Sequence, residues 1–319
     1  MWSYLIRRIG QAVVILFIIT LLCFLLTHYS SDPMSQYANK PGITAADRAA
    51  IAKSLGLDQP VPVQYVKWLW LAVHGNLGNS FFSKQPVLTM IMQRLPLTLI
   101  LMGTAEVVII IVSLILGIVA ATKQYSLVDN IITSFSFVGY SMPIFFIAFG
   151  CIELFAVQFK AWHLPYLPTG ADIWDPKNIG QLIRHMILPV FCLVAIQTAG
   201  YSRYLRSSIL EVLGMDYVRT AHAKGLSSRA VLYKHALRNA VLPFVTIIGL
   251  DLAFLLGGAL VTESVFAWPG MGRLFWEYAE RGDYPVVLGV LLITSTAVVF
   301  FTIVVDLFYT IIDPRIRFS

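Results

Sequence analysis

Four carboxylates stand inside apolar stretches of this sequence: Glu106, Glu153, Asp251 and Asp306. A charge at mid-membrane costs about 2.5–3.5 kcal/mol on insertion scales, so such residues face a polar cavity or pair with one another. Glu106 and Asp251 read equally as walls of a polar passage or as a structural pair. Glu153 and Asp306 fall near the ends of their stretches, where water also reaches them. A second group is basic. "DYVRTAHAKGLSSRAVLYKHALRNAVLP", residues 216–243, holds Arg219, Lys224, Arg229, Lys234 and Arg238 between two apolar segments. Covalent chemistry finds no foothold. There is no H-E-x-x-H, "GYSM" at 139–142 lacks the second glycine of an intramembrane serine-protease motif, and the six histidines fall at helix ends or in loops. Cys23, Cys151 and Cys192 are far apart in sequence and form no C-x-x-C, so neither a disulfide framework nor a thiolate metal site is indicated. No G-x-x-x-x-G-K-[ST] occurs, so this chain has no P-loop for ATP. The residues suit recognition and passage rather than bond making.

The elements that must position them are membrane helices. The chain is 58% hydrophobic and 13% charged, with mean hydropathy +0.76, a composition outside the soluble range. A bilayer core needs about 20 apolar residues of helix. Six segments qualify, at about 9–27, 97–121, 131–159, 186–205, 242–262 and 285–312. The first follows Arg7 and Arg8 but is too long for a usual signal-peptide core and lacks a cleavage site, so it reads as a retained helix. Lys and Arg collect at Arg7, Arg8, Lys123, Arg203, Arg206, the basic stretch, Arg315 and Arg317. All fall on one side if the six spans alternate, and the positive-inside rule makes that side and both termini cytoplasmic. A nucleic-acid patch beneath a membrane is excluded on the same geometry; lipid headgroups are the bland alternative partner.

The outer loops are 30–96, 160–185 and 263–284. In the first, "TAADRAAIAKSLG" predicts a short helix with Thr44 as N-cap, Asp47 at N3 and Gly56 beyond the end. "VPVQYVKWLWLAVHG" predicts another, with Tyr65, Leu69 and Val73 on one face. In the third, Pro269, Gly270 and Gly272 break the chain. "MGRLFWEYAER" then predicts an amphipathic helix with Leu274, Phe275 and Tyr278 facing inward.

Within the basic stretch the sequence predicts two short helices. Asp216 is the expected N-cap of the first, Gly225 its left-handed terminus, and Ser227 or Ser228 the cap of the second. "YVRTAHAKG" spans only about two turns, too short to be stable alone in water. Small Ala221, Ala223 and Gly225 would let another surface approach, with Tyr217, Arg219, His222 and Lys224 at the rim. This pattern predicts a helix docked into a partner.

The same stretch closely resembles the EAA motif of ABC-importer permeases, most of all those of the dipeptide and oligopeptide family. Ala221, Ala223, Gly225, Leu242 and Pro243 fit that motif. The resemblance runs through nearly the whole chain. "LGLDQPVPVQY", "HGNLGNSF", "SMPIFF", "RHMILP", "RSSILEVLGMDYVRTA", "TESVFAWPGMG", "RGDYPVV" and "DLFYTIIDPRIR" match family stretches in order. It implies an all-α polytopic membrane protein with six transmembrane helices in the type I importer fold. Residues 1–94 would form a first helix plus external loop, 95–312 the permease domain, and 313–319 a cytoplasmic tail. Asp216, Tyr217, Arg219, Thr220, Ala221, His222, Ala223, Lys224 and Gly225 would form the coupling helix that sits in a groove of a cytoplasmic ATPase. Glu106, Asp251, Ser141 and Met142 would line the passage. Phe266, Trp268, Pro269, Gly270 and Met271 would form an external gate near a docked binding protein. The implied partners are a second homologous permease, two ABC ATPase chains, an external substrate-binding protein and lipid, in a bacterial inner membrane. This chain would bind no cofactor and no metal and catalyse no reaction; ATP and Mg would belong to the ATPases. The implied cargo is a di- or oligopeptide, with nickel chelates or glutathione as alternatives within the family. An ion-coupled secondary transporter is the rival class; it leaves the "TAHAKG" helix unexplained and shows no inverted repeat. Two residues depart from the family pattern: His222 stands where Arg is usual, and Asp251 where Gln or another neutral residue is usual.

Overall fold

The computed structural model describes residues 2–30, 44, 58–170, 175, 177–254 and 260–312. Their regular elements are all helices, with no strand among the described residues. In chain order the helices are α1 (Trp2–Ser30), α2 (Val61–Val73), α3 (Val87–Thr122) and α4 (Leu127–Ser141). Next comes α5 (Ile144–Cys151), which runs on through π-helical turns over Ile152–Gln158 and a final turn, Phe159–Ala161. Then follow α6 (Ile179–Leu213) and α7 (Asp216–Ala223). A turn at Ser228–Ala230 and π-helical turns over Val231–Ala236 lead into α8 (Leu237–Phe254), followed by α9 (Leu260–Val265), α10 (Met271–Glu280) and α11 (Tyr284–Ile312).

Among the described residues, five stretches are long and apolar enough to cross a membrane: Ile6–Tyr29, Val87–Thr122, Ile144–Ala161, Ile179–Leu213 and Tyr284–Val305. The expected fifth span, 242–262, is carried by α8 and α9, with residues 255–259 outside the described residues. The expected outer helix at 44–56 lies almost wholly outside them too. Large apolar side chains of α1, such as Ile6, Val13 and Leu26, are exposed, as a lipid solvent requires.

Two helices overrun the expected spans. α3 has 36 residues and α6 has 35, which at 1.5 Å per residue is about 54 Å and 52 Å. Each admits a proline, Pro96 and Pro189. They form the most extensive helix pair of the fold. Gly117 permits it: a Cβ there would sit 2.9 Å from Cδ2 of Leu205.

The third expected span, 131–159, is not one helix. α4 ends at Ser141, Met142 turns extended (φ −85°, ψ 128°) and Pro143 starts α5. The cause is local: a proline ring disfavours the helical region for the residue before it and supplies no N–H.

The main core joins α3, α6, α7 and α8. Ile109, Leu205, Ile209, Val218, Val231 and Phe244 are buried together there. A second core packs α2, α3, α10 and α11 through Ala72, Ile91, Met271, Leu274 and Val290. α1 is tied to α2 by a hydrogen bond between Thr20 Oγ1 and Tyr65 Oη, 2.9 Å, and by Phe24 against Tyr65. Of the three residues expected on one face of α2, Tyr65 is buried, Leu69 half-buried, and Val73 at the helix end exposed.

Candidate functional site

Three groups of predicted residues sit in three places. The first is α7. Its N-cap is Met215, in extended conformation with no side-chain cap. The expected cap, Asp216, is instead the first helical residue. Its carboxylate, 97% exposed, lies 3.7 Å from Arg219, an exposed pair of little energetic weight. Gly225 closes the helix as predicted, at φ +80°, with its N–H donating to His222 O at 2.9 Å. A Cβ on Gly225 would meet nothing within 4 Å, so conformation rather than space demands glycine. Ser227 caps the following turn, accepting from Ala230 N at 3.3 Å.

α7 has two faces. Val218 and Ala221, at i and i+3, are 1% and 6% exposed and belong to the main core. Tyr217, Arg219, Thr220, His222, Ala223, Lys224 and Gly225 are exposed, and Asn239 Nδ2 donates to Tyr217 Oη at 2.8 Å. The structure therefore removes Ala221 from the outward surface: its methyl anchors the helix inward. Val218, the other anchor, went unnoticed although its apolar i, i+3 spacing to Ala221 is visible in sequence.

Just before α7, α6 is latched to α4. Arg206 donates to Asp129 through two parallel bonds, Nε to Oδ1 and Nη2 to Oδ2, each 2.7 Å. Tyr125 N donates to Oδ2 at 2.9 Å and Thr133 Oγ1 to Oδ1 at 3.4 Å. The Arg206 hydrogen bonds hold the Asp129 carboxyl below the usual carboxylate range, outweighing the opposing effect of burial. Arg203 stacks over Phe137 and Tyr140 at 4.9 Å and 5.3 Å. Asp129 and Arg206 are 77 residues apart, and nothing in the sequence pairs them.

The second place is a partly open cavity of about 260 Å³ lined by α3, α5, α6 and α8. Glu106 and Asp251 both line it, with Gln197 beside them and an apolar remainder that includes Ile109, Ile144 and Leu193. The structure thus brings together the two acids that sequence reasoning singled out. It leaves Ser141 and Met142 at the α4–α5 break, exposed and outside the lining; Ile144, two residues on, is the lining residue. Glu153 lies elsewhere, exposed, accepting from Gln158 Nε2 at 2.8 Å. The side chain of Asp306 is outside the described residues. Tyr201 and Gln197, one turn apart on α6, complete the cluster and carried no signal in sequence.

The third place is the chain between α9 and α10. Phe266, Trp268 and Met271 are 2%, 1% and 0% exposed, and Gly270 is buried; Pro269 is half-buried. They form a knot around Glu263, which sequence reasoning passed over. Glu263 Oε2 accepts from Gly272 N at 2.7 Å and from Arg273 N at 3.1 Å. Oε1 accepts from Thr98 Oγ1 at 2.8 Å, and that hydroxyl oxygen accepts from Met271 N at 2.7 Å. Glu263 and Thr98 together cap the first N–H groups of α10, groups every helix leaves without an intrahelical partner. A Cβ on Gly270 would lie 2.3 Å from Glu263 Oε1, so the glycine gives the carboxylate room. Trp268 Nε1 donates to Leu97 O at 3.2 Å, and Gly170 N donates to Phe266 O at 2.8 Å. A charge signal was present, "TESVFAWPGMG", but a cap nine residues ahead of the groups it serves matches no local capping pattern.

Among the described residues no group of three or more His, Cys, Asp or Glu could hold a metal ion. Cys151 and Cys192, far apart in sequence, meet between α5 and α6.

Residues 113–318 match the family model described as binding-protein-dependent transport system inner membrane component. Residues 1–102 match the model of the N-terminal part of such a membrane component. The chain is 40% identical over 322 residues to the oligopeptide transport system permease protein AppB of Bacillus subtilis, covering 100% of both chains. It is 38% identical over 339 residues to the dipeptide transport system permease protein DppB of Escherichia coli K12, covering 99% of both. It is also 38% identical over 320 residues to the glutathione transport system permease protein GsiC of Escherichia coli, covering 100% of both.

Proposed function

We propose that this chain, which belongs to the family of binding-protein-dependent transport system inner membrane components, is a permease subunit that passes peptides through a bacterial inner membrane with energy from separate ATPases. The observation that carries the reading is the two-faced α7. A polar outer face, Tyr217 to Gly225, is fixed by Val218 and Ala221 to the core that also holds α3, α6 and α8. A partner gripping the outer face moves the helices that wall the cavity, because their buried side chains interlock at crystal-like density.

In this reading α7 lies in a groove of a cytoplasmic ABC ATPase. A second homologous permease completes the passage, and two ATPases bind the ATP and Mg that this chain has no P-loop to hold. An external binding protein delivers cargo. Both chain termini lie in the cytoplasm, as the distribution of Lys and Arg favours. Glu106 and Asp251 belong to the passage wall, with Ser141 and Met142 at its α4–α5 bend. The knot of Phe266, Trp268, Pro269, Gly270 and Met271 is the outer gate. Because most of those side chains are buried, the gate works by holding α10 rather than by touching the binding protein; exposed Trp276, Glu280 and Arg281 supply the outer contact. ATP-driven closure of the ATPases opens the passage outward and hydrolysis returns it inward. A peptide cargo is supported by the relatives' names, and the glutathione relative is in keeping with it, since glutathione is itself a tripeptide.

The test uses the assembled transporter in proteoliposomes. Replacing the outward residues Arg219 and Lys224 with Glu should abolish ATPase co-purification and ATP-dependent peptide uptake while the chain stays inserted. Full coupling in that variant would overturn the docking role of α7.

A further inference from the structure

The cavity between α3, α5, α6 and α8 holds two carboxylates and no cation: no Lys, Arg or His lines it among the described residues. Asp251 is already served. Gln197 Nε2 donates to its Oδ2 at 2.9 Å, and the Tyr201 hydroxyl donates to the same oxygen. Glu106 is served only weakly. Among the described residues its hydrogen-bond partner is the same Tyr201 hydroxyl, 3.5 Å from Oε1, at the long limit of an O–H···O contact. A phenol has a single proton, and this one is engaged with Asp251. Glu106 is only 6% exposed, and its carboxylate lies in the cavity wall. A buried carboxylate so weakly served is costly as an anion, and it is relieved either by taking up a proton or by a cation that supplies donors. The space, about 260 Å³, far exceeds what one water needs, and its other walls are apolar, suited to an alkyl chain.

From this arrangement we infer that Glu106 and Asp251, oriented by Tyr201 and Gln197, form a binding site for a primary ammonium group on an aliphatic chain. The inference rests on the peptide-permease reading above and names what that passage selects: cargo bearing a free ammonium, with N–H donors for Glu106 and for the free Oδ1 edge of Asp251. Asp251 and Glu106 approach from different helices, α8 and α3, so an occupying cation also draws the two together. The site is a station in the passage, not a catalytic centre.

The test is ATP-dependent uptake by the reconstituted complex fed by its own binding protein. The probes are Ala-Ala-Ala, N-acetyl-Ala-Lys-Ala, N-acetyl-Ala-Ala-Ala and putrescine. Because each variant is fed by the same binding protein, that protein's selectivity cancels in the variant-to-wild-type ratio. In Glu106→Gln and Asp251→Asn, uptake of ammonium-bearing probes relative to N-acetyl-Ala-Ala-Ala should fall about tenfold or more, the scale of losing one partner of a desolvated charge pair. Glu153→Gln, on an exposed carboxylate away from the cavity, serves as control and leaves the ratio unaltered. A fall for Ala-Ala-Ala identifies the terminal ammonium as the ligand; a fall for N-acetyl-Ala-Lys-Ala identifies the side chain. If one variant fails to insert, the other and Tyr201→Phe still report on the same site. An equal change for all four probes in the inserted variants overturns the site. Wild-type uptake of putrescine but of no peptide, lost in Glu106→Gln, keeps the site and overturns the peptide reading. Uptake of no probe by an assembled wild-type complex overturns both.

Discussion

Glu263→Ala tests the knot at the head of α10. In the native protein its carboxylate takes three hydrogen bonds, from Thr98 Oγ1, Gly272 N and Arg273 N, in a site with 0% exposure. Alanine leaves all three donors without a partner. An orphaned buried donor costs about 1–3 kcal/mol, so the three together amount to at least about 3 kcal/mol. Glutamine keeps the shape. Its carbonyl can replace Oε2 beneath the two backbone N–H groups, and its amide can donate to Thr98 Oγ1 after the hydroxyl rotates. It loses only the charge assistance, about 1 kcal/mol. The assay is hydrogen exchange of the purified, inserted chain, read at residues 271–273. At 1.4 kcal/mol per tenfold, alanine should accelerate exchange there about a hundredfold or more, and glutamine about tenfold or less. The melting temperature should follow the same order. Alanine and glutamine indistinguishable at 271–273, or native protection in alanine, would refute the claim that Glu263 caps α10.

Three further substitutions follow from packing and charge. Asp129→Asn should destabilise the chain by about 1–3 kcal/mol by removing the charge opposite a partly exposed Arg206 and one of its two acceptors, measured by thermal unfolding, with Asp129→Asn/Arg206→Met recovering part of the loss. Because the folded Asp129 carboxyl is held below its ordinary value, its contribution is complete above about pH 3.9 and is lost as pH falls through that lowered value; acid unfolding of Asp129→Asn should lack this step. Gly225→Val should strain a φ of +80° by about 1–2 kcal/mol and uncouple ATPase binding from an inserted permease, whereas Gly225→Asn should be tolerated; equal ATPase co-purification by both would refute the turn's role. Gly117→Val should separate α3 from α6, since a Cβ already meets Leu205 at 2.9 Å, and lower the folded yield; Leu205→Ala added to it should restore yield.

What the sequence makes legible is what periodicity and local chemistry encode. Four of the six apolar runs, the inward face of α10 and the left-handed Gly225 each rest on local pattern, and each holds. Glu106 and Asp251 are conspicuous because charge is rare in apolar helix. Their companions are not: Tyr201 and Gln197 are ordinary helix residues until α6 packs against α3 and α8. The same limit hides Asp129–Arg206, Glu263–Thr98 and Cys151–Cys192, all pairings across long stretches of chain. Asp216 illustrates a different failure. Several residues near a helix start have suitable chemistry, and backbone geometry gave the cap position to Met215, one residue earlier. The α4–α5 break was written in "SMP" but was overridden by the continuous hydrophobicity around it.

The two faces of α7 separate two kinds of information. Val218 and Ala221 answer only to the chain's own interior, while Arg219, His222 and Lys224 answer only to whatever lies outside. If α7 docks a partner as proposed, partner identity can drift, or be rewritten by design, through a handful of outward side chains without disturbing the inward pair. On that proposal, a chimaera carrying the outward residues of one relative on the inward pair of another should inherit its motor from the first and its passage from the second.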